Sequence, residues 1–190
     1  MLEFTAPAFA LADARAAGIG KDRIYDLLQR GDLERIARGV FVRPGALDPS
    51  LVTLAAATAV HQAATLCLTS ALVHHDLSDA IPFGAEIALP RGTRHPAGFD
   101  HASWHSFDPD TFGIGRELRD IGGMSVAIYS AERTIIDSFR LMHREGSDVA
   151  HEALRRWLRG RGNSPATLLR TARSFPTAVP RLRLALEALL

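Results

Sequence analysis

The chain has 190 residues, 47% of them hydrophobic and 23% charged, with a formal net charge of +1. That length allows one large domain or two small ones, and the composition is that of a folded chain. The near-zero charge balance excludes a general polybasic coat. The one cysteine, Cys67, sits in an apolar run and allows no internal disulfide, which points to a cytoplasmic protein. No charged n-region followed by an apolar run opens the chain. The longest apolar stretch, Leu51 to Leu72, is broken by His61 and Gln62 and reads as buried helix rather than membrane span.

The first predicted element is a helix over Ala10 to Ala17, stopped by Gly18. A short Gly-rich turn leads to a second helix from Lys21 to Arg30, where Ile24, Leu27 and Leu28 recur at helical spacing and Gly31 closes the element. Two helices joined by such a turn have the helix-turn-helix layout, whose second helix enters the major groove. Leu33 to Arg43 then alternates around Gly39 and predicts a β-hairpin wing. Together these elements predict a winged helix-turn-helix DNA-binding domain over residues 1–46. Arg23, Tyr25, Gln29 and Arg30 are the expected readers of base edges, with Lys21 beside them. Arg35, Arg38 and Arg43 are the expected phosphate contacts of the wing. Lys21 to Arg43 holds six basic and four acidic residues, so the expectation rests on layout rather than on charge. A helical hairpin packed on any β-ribbon would show the same periodicity, and Asp22 and Asp26 lie on or beside the expected DNA face.

Pro44 to Pro49 is a breaker cluster and the predicted domain boundary. Residues 47–190 predict an α+β domain of several helices on a small, mostly antiparallel sheet. Ser50 is expected to cap a buried helix over Leu51 to Ala64, with a shorter helix over Ser70 to Asp76. Short β-like runs follow: Glu86 to Leu89, His101 to Phe107, and Glu117 to Ile121 with Met124 to Tyr129 about the hairpin signal Gly122-Gly123. Ser130 predicts a helix to about Arg144, closed by Gly146. Further helices start near Ser147, at Ser164-Pro165 and at Pro180.

The pattern Ala14-Arg15-Ala16-Ala17-Gly18-Ile19, then Leu27 to Ile36, then Arg38-Gly39-Val40-Phe41 resembles the N-terminal winged-helix domain of AbiEi-type antitoxins. Downstream, Ser130-Ala131-Glu132-Arg133-Thr134-Ile135-Ile136-Asp137 resembles the segment that opens a helix in their C-terminal domain, and Thr69 to Leu77 resembles the short helix at its start. The resemblance implies an antitoxin of a type IV toxin–antitoxin pair. Its N-terminal domain would bind operator double-stranded DNA and repress its own operon. Its C-terminal domain would counteract a nucleotidyltransferase-like toxin, with self-association on DNA left open. The family usually has a further helix before the first one here, where only Met1 to Phe9 stands, and a Ser-type cap where this chain has Gly20.

Other chemistry is sparse. His74 and His75 are adjacent and point apart on a helix, and His101 and His105 lack a Cys or carboxylate at zinc-like spacing, so no metal is expected. No cofactor loop is present. Arg133 and Asp137 stand one helical turn apart, a surface ion pair or, if buried, a link from helix to sheet. From Arg155 on there are eight arginines against one acid, Glu187, which is either a patch for an acidic partner or nucleic acid or a solvated face. A catalytic role is not expected. The alternative is a winged-helix protein with a restriction-like nuclease domain, but Lys21 is the only lysine and none follows a paired acid in the sheet region.

Overall fold

In the computed structural model, which describes residues 5–190, the first element is a strand rather than a helix. Ala8–Ala10 forms β1, and the first helix, α1, is shorter than expected at Leu11–Ala16. The Ala10 N–H donates to the Asp13 carboxylate at 3.0 Å, which marks the helix start one residue late. After α2 (Lys21–Gln29) come β2 (Glu34–Ala37) and β3 (Val40–Val42), joined through Gly39 at φ +74°. The strands form a three-stranded antiparallel sheet in the order β1-β3-β2, with Ala8 opposite Val42 and Glu34 opposite Val42.

Alternation explains why β1 and β3 are buried on both faces. Phe9 and Phe41 point to one side, where they meet Ala14, Ile24, Leu27 and Leu33 from the helix pair and its exit. Ala8, Val40 and Val42 point to the other, against Ala55, Ala56 and Ala57 of α3 (Val52–Val60). Short alanine side chains at these buried positions let the helix lie close to the strands. The helix begins later than expected, because Pro49–Leu51 is a 3-10 turn. Its cap is Asp48, whose carboxylate accepts from the Ser50 N–H at 2.9 Å, not Ser50 itself.

A second sheet follows: β4 (Thr65–Leu66), β5 (Ala85–Pro90), β6 (Ala102–Phe107), β7 (Arg116–Ile121) and β8 (Met124–Tyr129), in the order β6-β5-β4-β8-β7. Gly122 and Gly123 make the β7–β8 turn at φ +62° and +84°, the doubly positive pair a tight hairpin requires. Ile87 and Leu89 of β5 join Phe99 in the α3 core.

The chain divides into two compact units. The first holds the chain up to Thr65, Phe83–Ser106 and Leu118–Ala127; the second holds Leu66–Pro82, Phe107–Glu117 and Ile128–Leu190. The segment ending at residue 46 thus lies inside a unit that also contains α3 and most of the second sheet. The helices of the second unit are α4 (Leu68–His74), α5 (Pro109–Phe112), α6 (Ala131–Arg140), α7 (Met142–Glu145), α8 (Ser147–Arg159), α9 (Pro165–Ala172) and α10 (Val179–Leu189). The helix expected from Ser130 to Arg144 is two helices, because Leu141 leaves helical geometry at φ −107°, ψ 18°. Ile135, Ile136 and Phe139 of α6, Leu154 and Trp157 of α8, and Leu182 and Leu186 of α10 share one core. The fold is α+β.

Candidate nucleic-acid interface

Local sequence fixes α2 at both ends. Gly18, at φ +77°, turns the chain out of α1, and the Ile19 N–H reaches back to the Ala14 carbonyl at 2.9 Å. Gly20 stands at the N-cap with no side chain to contribute a cap bond. At the other end Gly31 is at φ +76°, and the Asp32 N–H donates to the Leu27 carbonyl at 2.9 Å, a left-handed stop that satisfies a terminal carbonyl. Ile24 and Leu27 are buried.

All other residues of α2 except half-buried Leu28 face solvent. At about 100° per residue they fall into three groups. Asp22, Asp26 and Gln29 lie opposite the buried stripe and form the outward centre. Arg23 and Arg30 lie along one flank. Lys21 and Tyr25 lie along the other, the Lys21 ammonium 5.7 Å from the centre of the Tyr25 ring. The four expected base readers, and Lys21 beside them, are therefore exposed on α2 and its C-cap residue Arg30, but only Gln29 is central. The sequence places the two acids on or beside this face, and the spacing of Ile24, Leu27 and Leu28 narrows that to its centre.

The expected wing arginines divide differently. Arg35 and Arg38 are exposed on the β2–β3 hairpin. Arg43 is half-buried and its Nε donates to the Ala6 carbonyl at 3.3 Å, so part of its guanidinium is engaged within the chain. The hairpin tip is held to α1 by the Leu11 N–H donating to the Gly39 carbonyl at 2.7 Å. Helix pair and hairpin are thus one hydrogen-bonded body around the Phe9–Phe41 core.

In the second unit the charge is put to another use. Arg133 and Asp137 are wholly buried. Arg133 Nε donates to Asp137 Oδ2 at 2.9 Å, and Nη1 donates to the carbonyls of Thr111 at 2.7 Å and Ile114 at 2.6 Å. Its guanidinium carbon lies 4.3 Å from the ring centres of both Tyr129 and Phe175, so aromatic faces stand where Nη2 has no hydrogen-bond acceptor. Arg140 Nε adds a bond to Asp137 Oδ1 at 3.1 Å. Burial pushes the Asp137 carboxyl up from the ordinary carboxylate range, with both arginines opposing the shift. Burial likewise pushes the Tyr129 phenol up, and its hydroxyl donates to the Phe112 carbonyl at 2.9 Å.

The C-terminal arginines do not form one patch of like standing. Arg155 pairs with Glu152 at 2.6 Å, and Arg156 pairs with Glu152 and Asp79. Arg155 and Arg181 stand with His151 at a cavity of about 390 Å³ floored by Phe139, Met142 and Leu189. Arg159, Arg161, Arg170, Arg173 and Arg183 are exposed.

An α+β chain with an exposed helix and an arginine-bearing hairpin on one small core is what these residues define. Residues 2–44 match the sequence model of a family described as "Transcriptional regulator, AbiEi antitoxin". The N-terminal segment therefore carries the AbiEi antitoxin signature, and the match supports a regulator or antitoxin role. The stretches Thr69 to Leu77 and Ser130 to Asp137 lie outside the matched residues. No curated protein matches the chain. Among solved structures, the fold is similar to that of the Rv2827c protein from Mycobacterium tuberculosis, at 19% identity and a TM-score of 0.55, covering 95% of this chain and 75% of the other. No helix among the described residues is long and apolar enough to cross a membrane.

Proposed function

We propose that the chain is a non-enzymatic, DNA-binding antitoxin and autorepressor that counteracts a nucleotidyltransferase-like toxin. Residues 1–46 act as a winged helix-turn-helix and residues 47–190 carry the antitoxin role. The observation that carries this reading is the pairing of an exposed α2 with an exposed hairpin bearing Arg35 and Arg38 inside the segment that matches the antitoxin regulator family. In this reading Gln29 meets base edges with Arg30 and Arg23 beside it, and Lys21 and Tyr25 line the opposite edge of the groove. Arg35 and Arg38 hold phosphates, each as a charge-assisted donor of two hydrogen bonds, and Arg43 supports the hairpin base as well as the backbone contact.

The test is a gel-shift series over salt with DNA from upstream of the chain's own reading frame. Arg30→Ala should cost about 1–3 kcal/mol on the operator and relax its sequence preference. Arg38→Ala should weaken binding to all duplexes alike and reduce the salt slope by about 1. Unchanged affinity in both variants removes this interface. The antitoxin half is tested with the full chain, by rescue of growth in cells expressing the toxin of the neighbouring reading frame. A truncation at residue 50 is unsuitable, because Ala8, Val40 and Val42 share a core with Ala55 and Ile87.

A further inference from the structure

The outward centre of α2 is acidic on a helix that otherwise offers cations to a polyanion. Asp22 has a local explanation, since it stands in the first turn, where the partial positive charge of the helix N-terminus favours a carboxylate. Asp26 has none. It lies beyond that turn, and it faces Asp22 at i, i+4, a like-charge spacing that weakens a helix. Arg23 and Arg30 stand three and four residues away, at the spacing of the ion pairs that α6 makes. Yet Asp26 is exposed, and among the described residues it has no ion-pair partner.

We propose that Asp26 is a specificity-determining residue that accepts a hydrogen bond from the N4 amino group of a cytosine in the major groove. The inference rests on the DNA-binding reading above. A helix lying in the groove presents its centre most directly to base edges, while its flanks reach the outer base edges and the phosphate walls, and α2 has cations only on its flanks. A carboxylate at the centre is repelled by every acceptor on the base edges and is satisfied only by an exocyclic amino group. The adenine amino group stands beside the N7 acceptor of the same ring, which opposes a carboxylate. The cytosine amino group has no such neighbour on its own ring, which makes cytosine the natural partner. Asp26 thus trades general affinity for selectivity: it lowers attraction to every duplex and restores it at one base pair.

The experiment is selection of random duplexes by the full chain and by Asp26→Asn at one salt concentration, followed by affinity measurement on the selected sequence and on an unrelated duplex. The exposed, nearly isosteric change is checked for folding by a thermal melt. The expected result is a cytosine preference at one position of the parent's site that falls about fivefold or more in Asp26→Asn, or passes to adenine, which an amide can bind through two hydrogen bonds. Affinity for the unrelated duplex should rise at the same time. A base preference that is unchanged in Asp26→Asn, with or without a uniform gain in affinity, overturns this assignment and leaves the DNA-binding reading intact. Absence of any sequence-preferring binding by the parent chain overturns both.

Discussion

Helix α2 with its C-cap residue Arg30, and helix α6, carry the same charged trio in mirrored spacing and put it to opposite ends. In α2 the order is Arg23, Asp26, Arg30, with gaps of three and four; in α6 it is Arg133, Asp137, Arg140, with gaps of four and three. In α6 the central acid bonds both arginines, and Arg133 is closed in by two carbonyls and two aromatic rings. In α2 all three side chains are in water and unpaired among the described residues. Helical spacing permits an ion pair but does not create one. What creates it in α6 is desolvation, which makes a missing partner expensive, together with α5 and the turn after it, which offer the Thr111 and Ile114 carbonyls to the guanidinium. The lesson is that the buried trio is structural and the exposed one is free to meet something outside the chain.

Breaking the buried trio gives the largest expected effect. Arg133→Ala leaves Asp137 buried without its main partner and should cost about 3–5 kcal/mol, read as a fall in the urea midpoint. Replacing both, Arg133→Met with Asp137→Leu, should recover part of that loss, since no carboxylate is then left buried, while Arg140 gives up its Asp137 partner and turns to solvent. If the double variant is no better than the single one, the aromatic and carbonyl contacts of Arg133 dominate instead. Next in size is Gly115→Ala. Gly115 is at φ +69°, and an added Cβ would lie 2.5 Å from Arg133 Cβ, so a loss of about 1–3 kcal/mol is expected in the same assay.

The exposed trio should respond in the opposite way. Arg23→Ala and Arg30→Ala should leave the urea midpoint within about 0.5 kcal/mol of the parent while changing DNA affinity. A large stability loss in either would contradict their exposure and sharpen the comparison against the proposal.

The smallest effect belongs to Arg156 in the second unit, which pairs with Asp79 and Glu152 at the surface. Its guanidinium holds the Asp79 carboxyl below its usual 3.8 and the Glu152 carboxyl below its usual 4.5. A lowered folded-state pKa means that the stabilisation is present above those values and is lost as pH falls through the folded ones. The melting temperatures of Arg156→Ala and the parent should therefore differ slightly at neutral pH and converge as the pH falls below the usual values of both carboxyls.

Much of the molecule is legible in the sequence. Period-3.6 stripes and left-handed glycines marked α2 and the ends of several helices, because those signals are local. Gly122-Gly123 and Gly39 marked hairpins for the same reason. Strand β1 was not legible: three residues after a proline carry no period, and Ala8–Ala10 is a strand only because β3 pairs with it. The Asp48 cap was hidden by Ser50, since both are good cap residues and only geometry chooses between them. The break at Leu141 carries no Pro or Gly to announce it. Of the candidate site, the residue set was legible and the central place of Asp22 and Asp26 was within reach of a helical projection. That Arg43 also bonds the Ala6 carbonyl was not.

What the sequence alone determined is the set of local elements: which residues turn, which alternate, which repeat at helical spacing, and which segment matches the antitoxin regulators. These follow from backbone sterics and side-chain period, which act over a few residues. What only the tertiary structure decided is the standing of each charge. Arg133 and Arg30 are chemically alike and lie at similar spacing from an aspartate. One is a core residue and the other a surface one because contacts distant in sequence enclose the first and leave the second in water.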